Sequence, residues 1–110
     1  MNIETLREYC ISKNSVTESF PFGDDTLVFK VKGKIFAMMN LEGELNLNLK
    51  CNPDMAIDLR ERYSSVSGAY HMNKKHWNTI IIDGSVPDKE IFLWIDHSYD
   101  LVRGKQSKIK

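Results

Sequence analysis

The stretch ELNLNLK, residues 44–50, limits the fold more than any other part of this chain. Leu45, Leu47 and Leu49 alternate with Asn46, Asn48 and Lys50, so as a strand it has one apolar face and one polar face. A strand buried in a parallel sheet is apolar on both faces. Strict alternation instead predicts an antiparallel sheet covered on one side only.

The flanking sequence supplies the rest of such a sheet and its cover. In TLVFKVKGKIFAMMN, Leu27, Phe29 and Val31 share one face while Val28, Lys30 and Lys32 share the other. Lys32-Gly33 reads as a hairpin tip, because glycine tolerates the positive φ of tight hairpin turns. Thr79 to Ile82 predict a further strand. Helices are predicted around Ile3, Leu6, Tyr9 and Cys10, with Asn2 as N-cap; from Pro53, with Met55, Leu59 and Tyr63 as a stripe; and from Asp88, with Ile91, Trp94, Ile95, Ser98, Leu101 and Val102 toward the sheet. The expectation is a single α+β domain over residues 1–104, with an antiparallel sheet and helices packed on one face. A flexible basic tail is expected at 105–110.

At 110 residues one core suffices, and no apolar run approaches the ~20 residues of a membrane span. The N-terminal stretch has no signal-peptide character, which predicts a cytoplasmic protein. Cys10 and Cys51 lack CxxC spacing and read as buried small hydrophobes. A monomer is expected.

Fifteen basic residues balance fifteen acidic ones, which argues against a strong sequence-independent phosphate binder. The lysines are nevertheless unevenly placed. Lys30, Lys32 and Lys34 flank the hairpin tip and Lys74 and Lys75 lie in YHMNKKHW, while acids collect at 54–61 and 83–90. Within YHMNKKHWN, Lys74 and Lys75 suit phosphate, Tyr70, His76 and Trp77 suit stacking, and Asn73 and Asn78 suit hydrogen bonding. The competing reading makes Tyr70 and Trp77 half-buried rim residues and Lys74-Lys75 a solvated turn. Both stay open.

His71 and His76 are five residues apart, which matches neither a helical nor a strand face, and no zinc spacing surrounds them. In FPFGDD the two phenylalanines are expected in the core, and Asp24 and Asp25 point to opposite faces, poor geometry for a shared ion. His97 and Asp100 could orient an imidazole, but no nucleophile can be placed beside them. No catalytic residue, metal or cofactor is therefore expected.

The pieces PFGD, VxGKxFA, NLK and YHMNKxHW, in order between about Val16 and Val102, resemble the MmcQ/YjbR family of small bacterial proteins. The resemblance implies a frataxin-like α+β fold and double-stranded DNA binding through a "double wing" of strands and loops. The residues that would meet DNA in this sequence are Lys30, Lys32, Lys34, Asn73, Lys74, Lys75, His76, Trp77 and Asn78. Frataxin-like kinship also raises iron binding, which depends on an acidic ridge; the first helix offers only Glu4 and Glu8. A small-ligand or protein-partner module using the same surface is the alternative.

Overall fold

A computed structural model describes residues 1–69 and 72–104. Tyr70, His71 and the tail at 105–110 lie outside the described residues.

The chain runs α1 (Ile3–Ile11), β1 (Val16–Ser19), β2 (Thr26–Val31), β3 (Lys34–Asn40), β4 (Asn46–Lys50), α2 (Pro53–Arg62), β5 (Val66–Gly68), β6 (Trp77–Ile81) and α3 (Asp88–Arg103). The six strands form one sheet, ordered β1-β2-β3-β4-β6-β5, with every neighbouring pair antiparallel. α1 packs on β1, α2 on β5 and β6, and α3 across β2, β3 and β4. All three helices feed one apolar cluster with the inward residues of the sheet. The expected α+β arrangement, helices on one face only, is what the chain adopts.

Local signals act where the sequence places them. Asn2 Oδ1 accepts from the Thr5 amide at 2.9 Å, and Asn52 Oδ1 accepts from the Asp54 amide at 2.9 Å just ahead of Pro53. Lys32 and Gly33 both have positive φ, 53° and 76°, the condition for the turn type whose twist matches its flanking strands. Cys10 and Cys51 are buried, and burial raises their thiols to about 12 and about 11, so neither is a nucleophile at neutral pH.

Several expectations need correction. β4 begins at Asn46; Leu45 precedes it and is half-buried against the core, while Leu47 and Leu49 are fully inside. β6 begins at Trp77, because Lys50 pairs with Trp77, and it ends at Ile81. On α3, Leu101 is 38% exposed and Tyr99 is buried in its place. Phe20 and Phe22 are 48% and 64% exposed, because their turn extends past the end of edge strand β1, which packs against β2 and α1.

Candidate nucleic-acid interface

The helix-free face of the sheet is built in rows. Pairing places Ser19, Val28, Met38, Asn48, Thr79 and Ser67 in one line across all six strands. One step away lie Thr26, Asn40, Asn46 and Ile81; one step the other way lie Thr17, Lys30, Lys50 and Trp77. Rows on one face are about 6.5–7 Å apart, two residues along a strand.

The row with Lys30, Lys50 and Trp77 borders the end of the sheet where β2 turns into β3, β4 exits toward α2, and the 73–76 turn enters β6. Lys30, Lys32, Lys34, Asn73, Lys74, Lys75, His76, Trp77 and Asn78 lie at or beside this end, but they do not share one flat face. Lys30 and Trp77 lie on the open face. Lys34 pairs with Val31, so it stands on the helix side of the turn, exposed. Lys32 sits at the tip, and its ammonium donates to the Arg103 carbonyl at 3.3 Å, tying the hairpin to the negative end of α3. The hairpin tip is thus exposed but tethered.

Asn78 is a clear correction. Its row runs Phe29, Ala37, Leu49, Asn78, Gly68, on the helix side, and it is 2% exposed. Its Oδ1 accepts from Arg60 Nε at 2.7 Å and its Nδ2 donates to the Ala56 carbonyl at 3.3 Å. Asn78 anchors α2 to β6 and is out of reach of any nucleic acid. The same Arg60 guanidinium donates to the Lys74 carbonyl and, at 3.4 Å, to the Trp77 carbonyl, so one side chain fixes the entry to β6. A β-carbon on Gly68 would stand 3.3 Å from Arg60 Cζ and 3.2 Å from Lys74 Cγ, which explains a glycine there. It also places the Lys74 stem on the helix side of the sheet edge.

Asn73 closes its own turn, accepting from the Lys75 amide at 2.9 Å through Oδ1, while its carbonyl accepts from His76. Lys75 is exposed; His76 and Trp77 are half-buried, and the His76 carbonyl accepts from the Cys51 amide at 2.7 Å. Lys50 was missed from the sequence, although LNLNLK already sets it on the polar face opposite Trp77.

The other end of the sheet is acidic. Asp24, Asp25, Glu42 and Glu44 occupy the two turns there, joined by the Leu41 amide donating to the Asp25 carbonyl at 2.7 Å. A hydrogen bond with Asp25, together with its charge, raises the Glu42 carboxyl above its ordinary value. A neutral chain is therefore polarised along its sheet. His97 Nε2 accepts from the Asn52 amide at 3.2 Å, and Asp100 pairs with Arg103 at 3.1 Å. Among the described residues, no three His, Cys, Asp or Glu side chains gather as metal ligands would, and no helix is long and apolar enough to cross a membrane.

A family model described as YjbR matches residues 11–101, nearly the whole of this framework. The chain belongs to the YjbR family. Among its YjbR-family relatives, the uncharacterized protein YjbR of Escherichia coli K12 is 36% identical over 100 residues, covering 90% of this chain and 85% of the relative. The uncharacterized protein YbdF of Escherichia coli O157:H7 is 33% identical, over 90% of this chain and 82% of its own. The fold recurs in Deinococcus radiodurans protein DR2400, with a DUF419 domain, at a TM-score of 0.90 and 37% identity over 94% of this chain and 80% of that one. A Pseudomonas syringae protein superposes with a TM-score of 0.82 at 28% identity, over 94% of this chain and all of its own.

Proposed function

We propose that this YjbR-family protein is a non-enzymatic module that binds double-stranded DNA through the basic end of its sheet. One observation carries the reading: Lys30, Lys32, Lys34, Lys50, Lys74 and Lys75 gather where the β2–β3 turn, the β4 exit and the 73–76 turn meet, with Asp24, Asp25, Glu42 and Glu44 at the far end. Two strand spacings, about 10 Å, separate β3 from β6, so the two lysine-bearing turns can meet neighbouring phosphates of one duplex. The acidic end turns the molecule so that the basic end leads.

Lysine–phosphate contact is sequence-independent, and the residues best placed to read bases are committed elsewhere: Asn78 is buried and Asn73 holds its turn. Binding is therefore weak, general and salt-dependent, in a protein that shares the cytoplasm with DNA. Lys32 contributes least, because its ammonium is already held by the α3 carbonyl.

The test is fluorescence anisotropy with a random duplex across a salt series. Lys34→Ala combined with Lys75→Ala removes two exposed charges from the two turns, and the slope of log affinity against log salt should fall by up to roughly 2, at about 0.9 for each phosphate left without its lysine. Lys89→Ala, at the start of α3 and the far end of the molecule, should leave the slope unchanged. A slope indifferent to the double change rejects the proposed end as the binding surface.

A further inference from the structure

The middle of the open face holds a cavity of about 300 Å³. Its floor is Met38, Asn48 and Thr79 from the central row and Thr26, Asn40 and Asn46 from the row beside it, and Met72 lines it from the segment ahead of β6. Among the described residues, no titratable side chain lines it. What this lining offers a ligand group is hydrogen bonding and apolar contact.

The amides are partly committed, and the commitments define what they offer. Asn48 Oδ1 accepts from the Thr79 hydroxyl, and Asn40 Oδ1 accepts from the Glu42 amide at 3.2 Å, which turns both NH₂ groups away from these partners. Asn46 Nδ2 donates to the Glu44 carbonyl at 3.3 Å, leaving its Oδ1 as an acceptor. Two donors and one acceptor thus stand on neighbouring strands without partners among the described residues. Met38 and Met72 add polarisable thioethers, which pack well against aromatic rings. At the small end of the ~300–1,000 Å³ typical of ligand pockets, the volume suits a group of nucleobase size. Lys30 and Lys50 stand one row, about 6.5–7 Å, beyond Asn48 toward the basic end, and two rows beyond Asn40 and Asn46. The step from Asn48 matches the reach from a base through its sugar to its 5′-phosphate, with Asn40 and Asn46 at the far edge of the base.

We propose that this cavity receives an unpaired nucleotide, its base bonded by Asn40, Asn46 and Asn48 between Met38 and Met72, its phosphate turned toward Lys30 and Lys50. The phosphate end rests on the nucleic-acid reading above; the base site rests on the cavity alone. The shared chemistry, a base with its 5′-phosphate, can arrive as a free nucleoside monophosphate or as the unpaired end of a strand.

Isotope-labelled protein should be titrated separately with each of the four nucleoside 5′-monophosphates, a short single-stranded oligonucleotide, sodium phosphate and a blunt duplex. Expected is a saturable shift of the side-chain NH₂ signals of Asn40, Asn46 and Asn48 and of the Thr79 amide. Response to monophosphates marks a free-nucleotide site; response to the oligonucleotide alone marks a strand-end site; sodium phosphate should leave these signals still. Asn48→Leu removes a donor, and Met38→Trp fills the cavity. Each, once shown by thermal melting to be folded, should weaken nucleotide binding by about tenfold or more. The proposal is overturned if nucleotide and oligonucleotide move only the signals that sodium phosphate moves, or if both folded variants bind as well as the parent. A duplex that still shifts the basic end in that case leaves the DNA reading standing; a duplex that shifts nothing removes that reading as well.

Discussion

Replacing Phe36 by alanine is expected to destabilise the domain by about 3–5 kcal/mol, which for a chain of this size lowers the melting midpoint by roughly 12–30 °C. Phe36 is fully buried, 6.4 Å from the Phe29 ring and edge-on to Tyr99 at 5.3 Å. It sits at a break in register: Phe29 pairs with Ala37 and Lys30 with Ile35, so Phe36 is the extra residue of a β-bulge. The bulge lets two successive residues, Phe36 and Ala37, be buried together. It also sets the Phe36 carbonyl to accept from the Ser98 hydroxyl at 2.5 Å, while Ser98 Oγ accepts from the Lys50 amide at 2.9 Å. Because α3 is fastened to β3 and β4 at this point, the cavity cannot close without disturbing the helix. Thermal melting followed by circular dichroism checks the expectation; a loss under about 1 kcal/mol would show the site collapsing freely.

Arg60→Ala has the second largest expected effect, about 2–3 kcal/mol, because it leaves the buried Asn78 oxygen unpaired and removes donors from two backbone carbonyls. Asn78→Ala should cost a similar amount. The double variant should be less destabilised than the sum of the two singles by about 0.5–3 kcal/mol, since each single change breaks the same bond. Arg60→Lys should rescue little, as a single ammonium cannot span an amide oxygen and two carbonyls as the guanidinium fork does. Amide exchange should accelerate at 74–77 in Arg60→Ala while β3 and β4 stay protected. Strict additivity in the cycle would show that Arg60 and Asn78 act independently.

What the sequence displayed and what it hid differ in range. Alternation of Leu47 and Leu49 with Asn46 and Asn48 is a local pattern, and it set both the sheet type and its bare face. The caps Asn2 and Asn52 and the Lys32-Gly33 turn are also local, since each depends on a few neighbouring residues. Asn78 and Phe36 were misjudged or overlooked because their directions depend on pairing with distant strands: register with Leu49 turns Asn78 inward, and the bulge opposite Phe29 and Lys30 turns Phe36 inward out of phase. β5, only three residues long, is too short to show a period. The exposure of Phe20 and Phe22 follows from β1 being an edge strand, which hydrophobicity does not reveal. Of the site, the lysines were legible as charges in sequence. Their meeting at one end required the strand order.

The most direct test of the central claim is amide chemical-shift mapping with a random blunt duplex at low ionic strength. The account predicts shifts across 30–35, at Lys50 and across 74–77, fading together as salt is added. Shifts centred instead on the turns at 20–25 and 41–45, or no shifts at any duplex concentration, would contradict it.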